Sequence, residues 1–218
     1  MSKKAIIAGA SGLTGSSLLE MLLHEPGYEE VLILVRKELP LQHPKLKQLV
    51  VDFDRLESYA DEITGDVIFS CLGSTRKKTP DLKIYRKIDH DYPLQLAQIA
   101  LKNKIGQFHL VSSMGADAST SNFYTKMKGE TEDDLKKVGL PSLQIYRPAF
   151  IKGDRKEHRS FENVLTVVMK LVDHLLIGSL KKYRSISATT IARAMFNQSL
   201  KNTPGVHTYL SDKIKELS

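Results

Sequence analysis

The chain has 218 residues, of which 41% are hydrophobic and 26% charged, and a formal net charge of +7. That length suits one large domain or a domain with a small appendage, and the composition provides for an ample core. The lone cysteine, Cys71, excludes an internal disulfide and points to a reducing, cytoplasmic setting.

In chain order, the apolar run after "MSKK" is too short for a secretory leader. "KAIIAGA" (4–10) instead reads as a first strand, and 13–24, with Leu18, Leu19, Leu22 and Leu23 on one face, as the helix after it. "EVLILVR" (30–36), "LKQLVVD" (46–52) and "GDVIFSCL" (65–72) are further strands. A helix over 92–104 follows, then a strand "QFHLVSS" (107–113) and a Lys- and Glu-rich helix over 122–138 suited to solvent. "PSLQIYR" (141–147) is the next strand, 161–177 an apolar helix, and "GVHTYL" (205–210) a last edge strand. Lys170, Asp173 and His174 interrupt the 161–177 stretch, so no membrane span is expected and the protein reads as soluble. Nearly continuous apolar strands alternating with helices predict a parallel sheet covered on both faces. The fold class is therefore α/β, a Rossmann-like doubly wound sheet in a single domain 1–218, with 151–218 adding a small C-terminal cap.

The basic runs at 76–78, 154–159 and 181–184 are short and accompany no nucleic-acid motif, so no nucleic-acid partner is expected. His158 and His174 show no metal-ligand spacing, and no metal is expected.

The first strand runs into "GASGLTG". Gly9, Gly12 and Gly15 are spaced G-x-x-G-x-x-G, a partial match to the dinucleotide fingerprint G-x-G-x-x-G. Glycines there allow a pyrophosphate to approach backbone N–H groups at a helix N-terminus, where the dipole favours anions. Ser11 and Thr14 add hydroxyl donors, with Leu13 between the last two glycines. About 20 residues beyond the loop, where an acid would hold the ribose of NAD, the second strand ends in Arg36 and Lys37. A guanidinium makes paired hydrogen bonds to phosphate, so NADP(H) is favoured over NAD(H). Asp52 and Phe53 at the third strand end fall where adenine would lie, and Leu72, Gly73, Ser74 and Thr75 near the ribose and pyrophosphate. Cys71 reads as a small strand residue without an activating base.

Tyr124 and Lys128 share one helical face after "LVSSMGA". An ammonium beside the phenol favours the phenolate, which suits Tyr124 to acid–base work near neutrality. A serine at the strand end, Ser112 or Ser113, would polarise a substrate carbonyl. Strand alternation sends the two side chains to opposite faces, so one of them serves.

"GASGLTG", "CLGST", "VSSMGA", "YTKMK" and "YRPAF", in this order, resemble the short-chain dehydrogenase/reductase superfamily in its atypical branch. "SSMGADASTSNFYTKMKGETE" and "RPAFIKGDRKEHR" are most similar to the Tat-interacting-protein-like NAD(P)H-binding oxidoreductases. The resemblance implies a triad of Ser113, Tyr124 and Lys128, with Ser113 as the catalytic serine, Lys128 also anchoring the cofactor, and Ser112 near the cofactor. It places Arg147, Pro148, Ala149 and Phe150 at the nicotinamide end. The chain beyond Phe150 is short for a sugar-nucleotide epimerase, which favours a small pocket. The expected activity is an NADP(H)-dependent oxidoreductase acting on a small-molecule carbonyl or alcohol, as a monomer or small homo-oligomer away from membranes. The alternative is an NADPH-binding regulator that acts through partner proteins with little or no turnover.

Overall fold

The computed structural model describes residues 2–152, 176, 178–201 and 203–218. The expected helix over 161–177, save residue 176, lies outside the described residues, as do His158, His174 and the whole basic run at 154–159.

Seven parallel strands form one sheet in the order β3-β2-β1-β4-β5-β6-β9. They are β1 (Lys3–Ala8), β2 (Tyr28–Val35), β3 (Leu46–Val50), β4 (Val67–Ser70), β5 (Gln107–Val111), β6 (Ser142–Arg147) and β9 (Gly205–Leu210). The first six follow the doubly wound order 3-2-1-4-5-6, in which the chain reverses its direction of travel beside β1. Six were legible as apolar runs and β9 as a last edge strand, and the fold class is as expected.

Both faces of the sheet are covered at its centre, which is why β1, β2, β4, β5 and β6 are mostly buried, while the edge strands β3 and β9 are partly exposed. Along β1, Ile6 and Ala8 enter one apolar layer while Ala5 and Ile7 enter the other. The first layer holds Leu56 and Ala60 from a 3-10 segment (Phe53–Glu62), Leu96 and Ile99 from α3 (Tyr92–Lys102) and Leu135 from α4 (Phe123–Val138). The second holds Leu18 and Leu22 from α1 (Leu13–His24), Ile191 and Met195 from α5 (Ala188–Ser199) and Ile214 from α6 (Ser211–Leu217). The described C-terminal helices thus share a core with β1, and a short two-stranded ladder of β7 (Ile151–Lys152) and β8 (Ile186–Ser187) lies beside the main sheet.

Two departures from expectation bear on the site. The 122–138 helix is not simply a solvated face: α4 buries Met127, Lys128, Gly129, Thr131, Glu132 and Leu135. Its buried charges have partners from other elements. A methyl group on Gly129 would overlap the Asp117–Ala118 backbone, so only glycine lets the helix come this close. The second departure is α2 (Leu82–Arg86), followed by a π-helical turn (Lys87–Asp91) that runs directly into α3. Pro93 has no N–H with which to bond the Asp89 carbonyl, and that carbonyl accepts from Thr131 Oγ1 at 3.2 Å instead.

Candidate functional site

The site starts from the loop between β1 and α1. Gly9 has φ +90°, and a Cβ there would lie 2.6 Å from the Cys71 carbonyl oxygen. A Cβ on Gly15 would collide with the Gly9 carbonyl. Both positions therefore demand glycine, and the turn closes by Gly12 N–H donating to Gly9 O at 3.0 Å. Gly12 caps α1 with extended backbone and no side-chain cap, and the first turn carries no acid. Helix N–H groups and the positive end of the dipole are thus presented beside the strand ends, a setting that fits a phosphate. Thr14 and Gly15 are buried in the first turn, and Ser11 is exposed at the loop tip.

This loop floors a cleft of about 1000 Å³ at the carboxyl ends of β1 to β4. Gly9, Ser11 and Gly12 line it with Arg36 and Lys37 from the end of β2, Asp52 and Phe53 after β3, and Leu72, Gly73 and Ser74 after β4. These ten are among the residues expected to hold a cofactor. Thr75 instead closes its own loop, its carbonyl accepting from Lys78 N–H and Thr79 N–H at 2.9 and 2.8 Å. Lys78, Thr79, Ile84, Ile88 and Tyr92 also line the cleft, and sequence reasoning missed their part in it. The available signal was the spacing Ile84, Ile88, Tyr92, an apolar row at intervals of four.

Charge within the cleft is unevenly engaged. Asp54 accepts from Lys87 Nζ at 2.9 Å and Tyr92 Oη at 2.8 Å, which holds its carboxyl below the usual range. Asp52 caps the following 3-10 segment through Asp54 N–H at 3.0 Å. Arg36 and Lys37 are exposed at the rim. Cys71 also lines the cleft, but burial pushes its thiol up to about 12, so it is no thiolate nucleophile near neutral pH.

Beyond the cleft lies the second group of expected residues. Asn122 caps α4 by accepting from Tyr124 N–H and Thr125 N–H. Tyr124 then sits in the first turn, 36% exposed, with its ring stacked 6.4 Å from that of Tyr85. Lys128, one turn on, is 4% exposed, and its ammonium lies 2.8 Å from Asp89 Oδ1. Burial opposes the charge on Lys128, but Asp89, with Tyr124 and Glu132, outweighs it and holds the ammonium above its ordinary value. The other oxygen of Asp89 accepts the Ser74 N–H at 2.9 Å. One carboxylate therefore joins the lysine of α4 to the wall of the cleft. Asp89 comes from the π turn, and its pairing with Lys128 left no mark in the sequence.

The two serines part as alternation requires. Ser112 is buried and donates to Glu132 Oε1 at 2.5 Å, while Arg147 donates to both oxygens of the same carboxylate at 2.6 to 3.1 Å. Its hydroxyl is thus turned into the core, as is much of Arg147. Ser113 is half-buried, with a contact of 3.3 Å to the Met114 carbonyl. The Pro148 carbonyl accepts from Met114 N–H at 2.8 Å and ties the serine turn to the end of β6. Ala149 N–H donates to Ser211 Oγ at 2.7 Å, and Phe150 O accepts from Ile186 N–H at 2.9 Å. These two backbone groups, expected at the nicotinamide end, are engaged within the chain.

A family model described as NAD(P)H-binding matches residues 9–199. The protein HTATIP2 of Rattus norvegicus is 33% identical over 97% of this chain and 87% of its own length. Protein fmp52, mitochondrial, of Aspergillus clavatus is 30% identical over 98% of this chain and 94% of its own length. Among solved structures, the Bordetella bronchiseptica enzyme WbmH in complex with NAD+ superposes with a TM-score of 0.72 at 18% identity, covering 99% of this chain and 79% of that one. A cytoplasmic location was expected from the lone cysteine. It is overturned by the fungal relatives, which match almost the whole chain and are named as mitochondrial proteins. A reducing environment is not peculiar to the cytoplasm, and composition does not distinguish the two. A Rossmann-like sheet, a glycine cradle at its first helix and a family match over most of the chain agree: this protein belongs to the NAD(P)H-binding family of oxidoreductase-like proteins.

Proposed function

We propose that the chain is an NADP(H)-dependent oxidoreductase that interconverts a carbonyl and an alcohol on a small molecule. The observation that carries this reading is the buried Lys128 ammonium, held by Asp89 against the cleft wall at Ser74, one helical turn from Tyr124. A lysine with 4% exposure and a fixed partner is an arrangement for holding charge beside a phenol. The backbone of Gly9 to Gly12 and the α1 N-terminus would hold a pyrophosphate, and Arg36 with Lys37 a 2′-phosphate.

A bound nicotinamide supplies the hydride. Tyr124 Oη delivers the proton to the carbonyl oxygen, and the Lys128 ammonium stabilises the phenolate left behind. Ser113 Oγ donates a hydrogen bond to the same oxygen, its partner Ser112 being turned to Glu132. In the reverse direction the phenolate takes the proton of the alcohol.

The test is titration with NADPH and with NADH, on wild type and on Arg36→Ala. Wild type is expected to bind NADPH more tightly, and the variant to lose about tenfold or more for NADPH and little for NADH. Equal wild-type affinities, or an unchanged preference in the variant, would overturn the 2′-phosphate assignment.

A further inference from the structure

We propose that His90 is a positioning residue whose protonation sets how the π turn engages α4, and through it the Lys128–Asp89 pair. The proposal rests on the reading of Lys128 as part of the catalytic set, but its test observes Lys128 directly and needs no turnover.

His90 follows Asp89 in the π turn and is 5% exposed. Its Nδ1 lies 2.7 Å from Asp91 Oδ1, and its Nε2 lies 3.1 Å from Asp134 Oδ2 on α4. Arg86 Nη2 is 3.4 Å from the same Nε2. A neutral imidazole has one N–H and cannot donate to both carboxylates, whereas an imidazolium can. Protonated, His90 bridges the turn to α4. Neutral, with its proton on Nδ1, it keeps Asp91 and turns a lone pair toward Asp134, which favours the guanidinium of Arg86 as its partner.

The neighbours have alternative partners ready. Asp134 also binds Lys137 Nζ at 2.8 Å, and Arg86 Nη1 binds Glu130 at 2.5 Å. Lys137 first and then His90 hold the Asp134 carboxyl below its usual range, so it is charged and selective for the protonated ring. The charged and titratable groups at this junction are Asp89, Asp91 and Lys87 on the turn itself, Arg86 and Tyr85 on α2, Tyr92 on α3, and Lys128, Glu130, Asp134 and Lys137 on α4. Lys87 and Tyr92 are committed to Asp54.

The consequence for the site follows from spacing on α4. Lys128, Thr131 and Asp134 succeed one another at intervals of three, and each meets the π turn: Lys128 at the Asp89 carboxylate, Thr131 at the Asp89 carbonyl, Asp134 at His90. Making or breaking the outermost of these three contacts changes the seating of the other two.

The experiment is NMR on the full chain with labelled lysine and histidine, following the Lys128 side chain and the His90 ring over about pH 5 to 9. The Lys128 signal is expected to step at the pH where the His90 ring itself titrates. His90→Gln keeps a hydrogen-bond donor but cannot charge, and should abolish the step. Asp134→Asn, at a partly exposed carboxylate, should shrink it. A flat Lys128 signal through the wild-type His90 titration overturns the proposal, as does a step that survives in His90→Gln. If His90→Gln does not fold, an undiminished step in Asp134→Asn overturns it equally. Neither side chain lines the cleft, so NADPH affinity should stay at the wild-type level in both variants. Should Lys128 prove dispensable for turnover, the titration still decides whether His90 acts on it.

Discussion

Asp89→Asn perturbs the junction between cleft and α4 with the least change in shape. Asparagine still accepts the Ser74 N–H, so what is removed is the negative charge facing Lys128. The two side chains are 1% and 4% exposed and 2.8 Å apart. Removing one partner of a buried pair costs roughly 3–5 kcal/mol, because the remaining charge is left uncompensated. For a chain of this size each kcal/mol lowers Tm by about 2–4 °C, which puts the loss at about 6–20 °C. Thermal and urea melts followed by circular dichroism measure it. Lys128→Met alone strands the opposite charge, so the double variant should be less destabilised than the sum of the singles, by up to about 3 kcal/mol. The pH dependence has a definite sign. Lys128 is held above its ordinary value, so the wild-type pair contributes fully below about pH 10.4 and is lost as pH climbs through the higher folded value. In Asp89→Asn burial of Lys128 is opposed only by Tyr124 and Glu132, so its pKa falls and the deficit should shrink as pH rises from neutral toward that of free lysine. A Tm loss below about 2 °C, or an additive double-mutant cycle, would refute this account of the pair.

Three further outcomes are expected. Tyr124→Phe should lower turnover of any accepted carbonyl by about 10²–10⁴ while leaving NADPH affinity intact, and steady-state rates beside a binding titration check both. Gly15→Ala pushes a methyl against the Gly9 carbonyl, and should cost roughly 1–3 kcal/mol in a denaturant melt and weaken NADPH binding as well. His109 is fully buried between Tyr146 Oη at 3.1 Å and Gln107 Oε1 at 3.2 Å, and burial, with Lys3, lowers its pKa to about 3. Its unfolded value is higher, so the unfolded chain takes up the proton first and stability falls as pH drops below about 6.5, by about 1.4 kcal/mol per unit. Urea midpoints for His109→Gln should lose that part of the slope; an unchanged slope would place the acid sensitivity elsewhere.

Much of the architecture was legible because burial on two sides leaves a mark on composition. β1, β2 and β4 read as apolar runs since both faces of the sheet are covered, and Gly9 and Gly15 stand out because no other residue fits their turn. Arg36, Asp52 and Gly73 could be assigned to one cleft from chain order alone, since in a doubly wound sheet the strand ends converge on it. Pairings between distant segments left no such mark. A lysine in a polar helix looks the same whether it faces water or, like Lys128, a buried Asp89. Only the folded chain shows that Glu132 draws Ser112 and Arg147 into the core and that Ser211 takes the Ala149 N–H. The sequence by itself determined the layers and the cradle, because periodicity and glycine geometry are local. The tertiary structure decided which charges are paired, because the partner of a buried ion is set by packing between elements far apart in the chain.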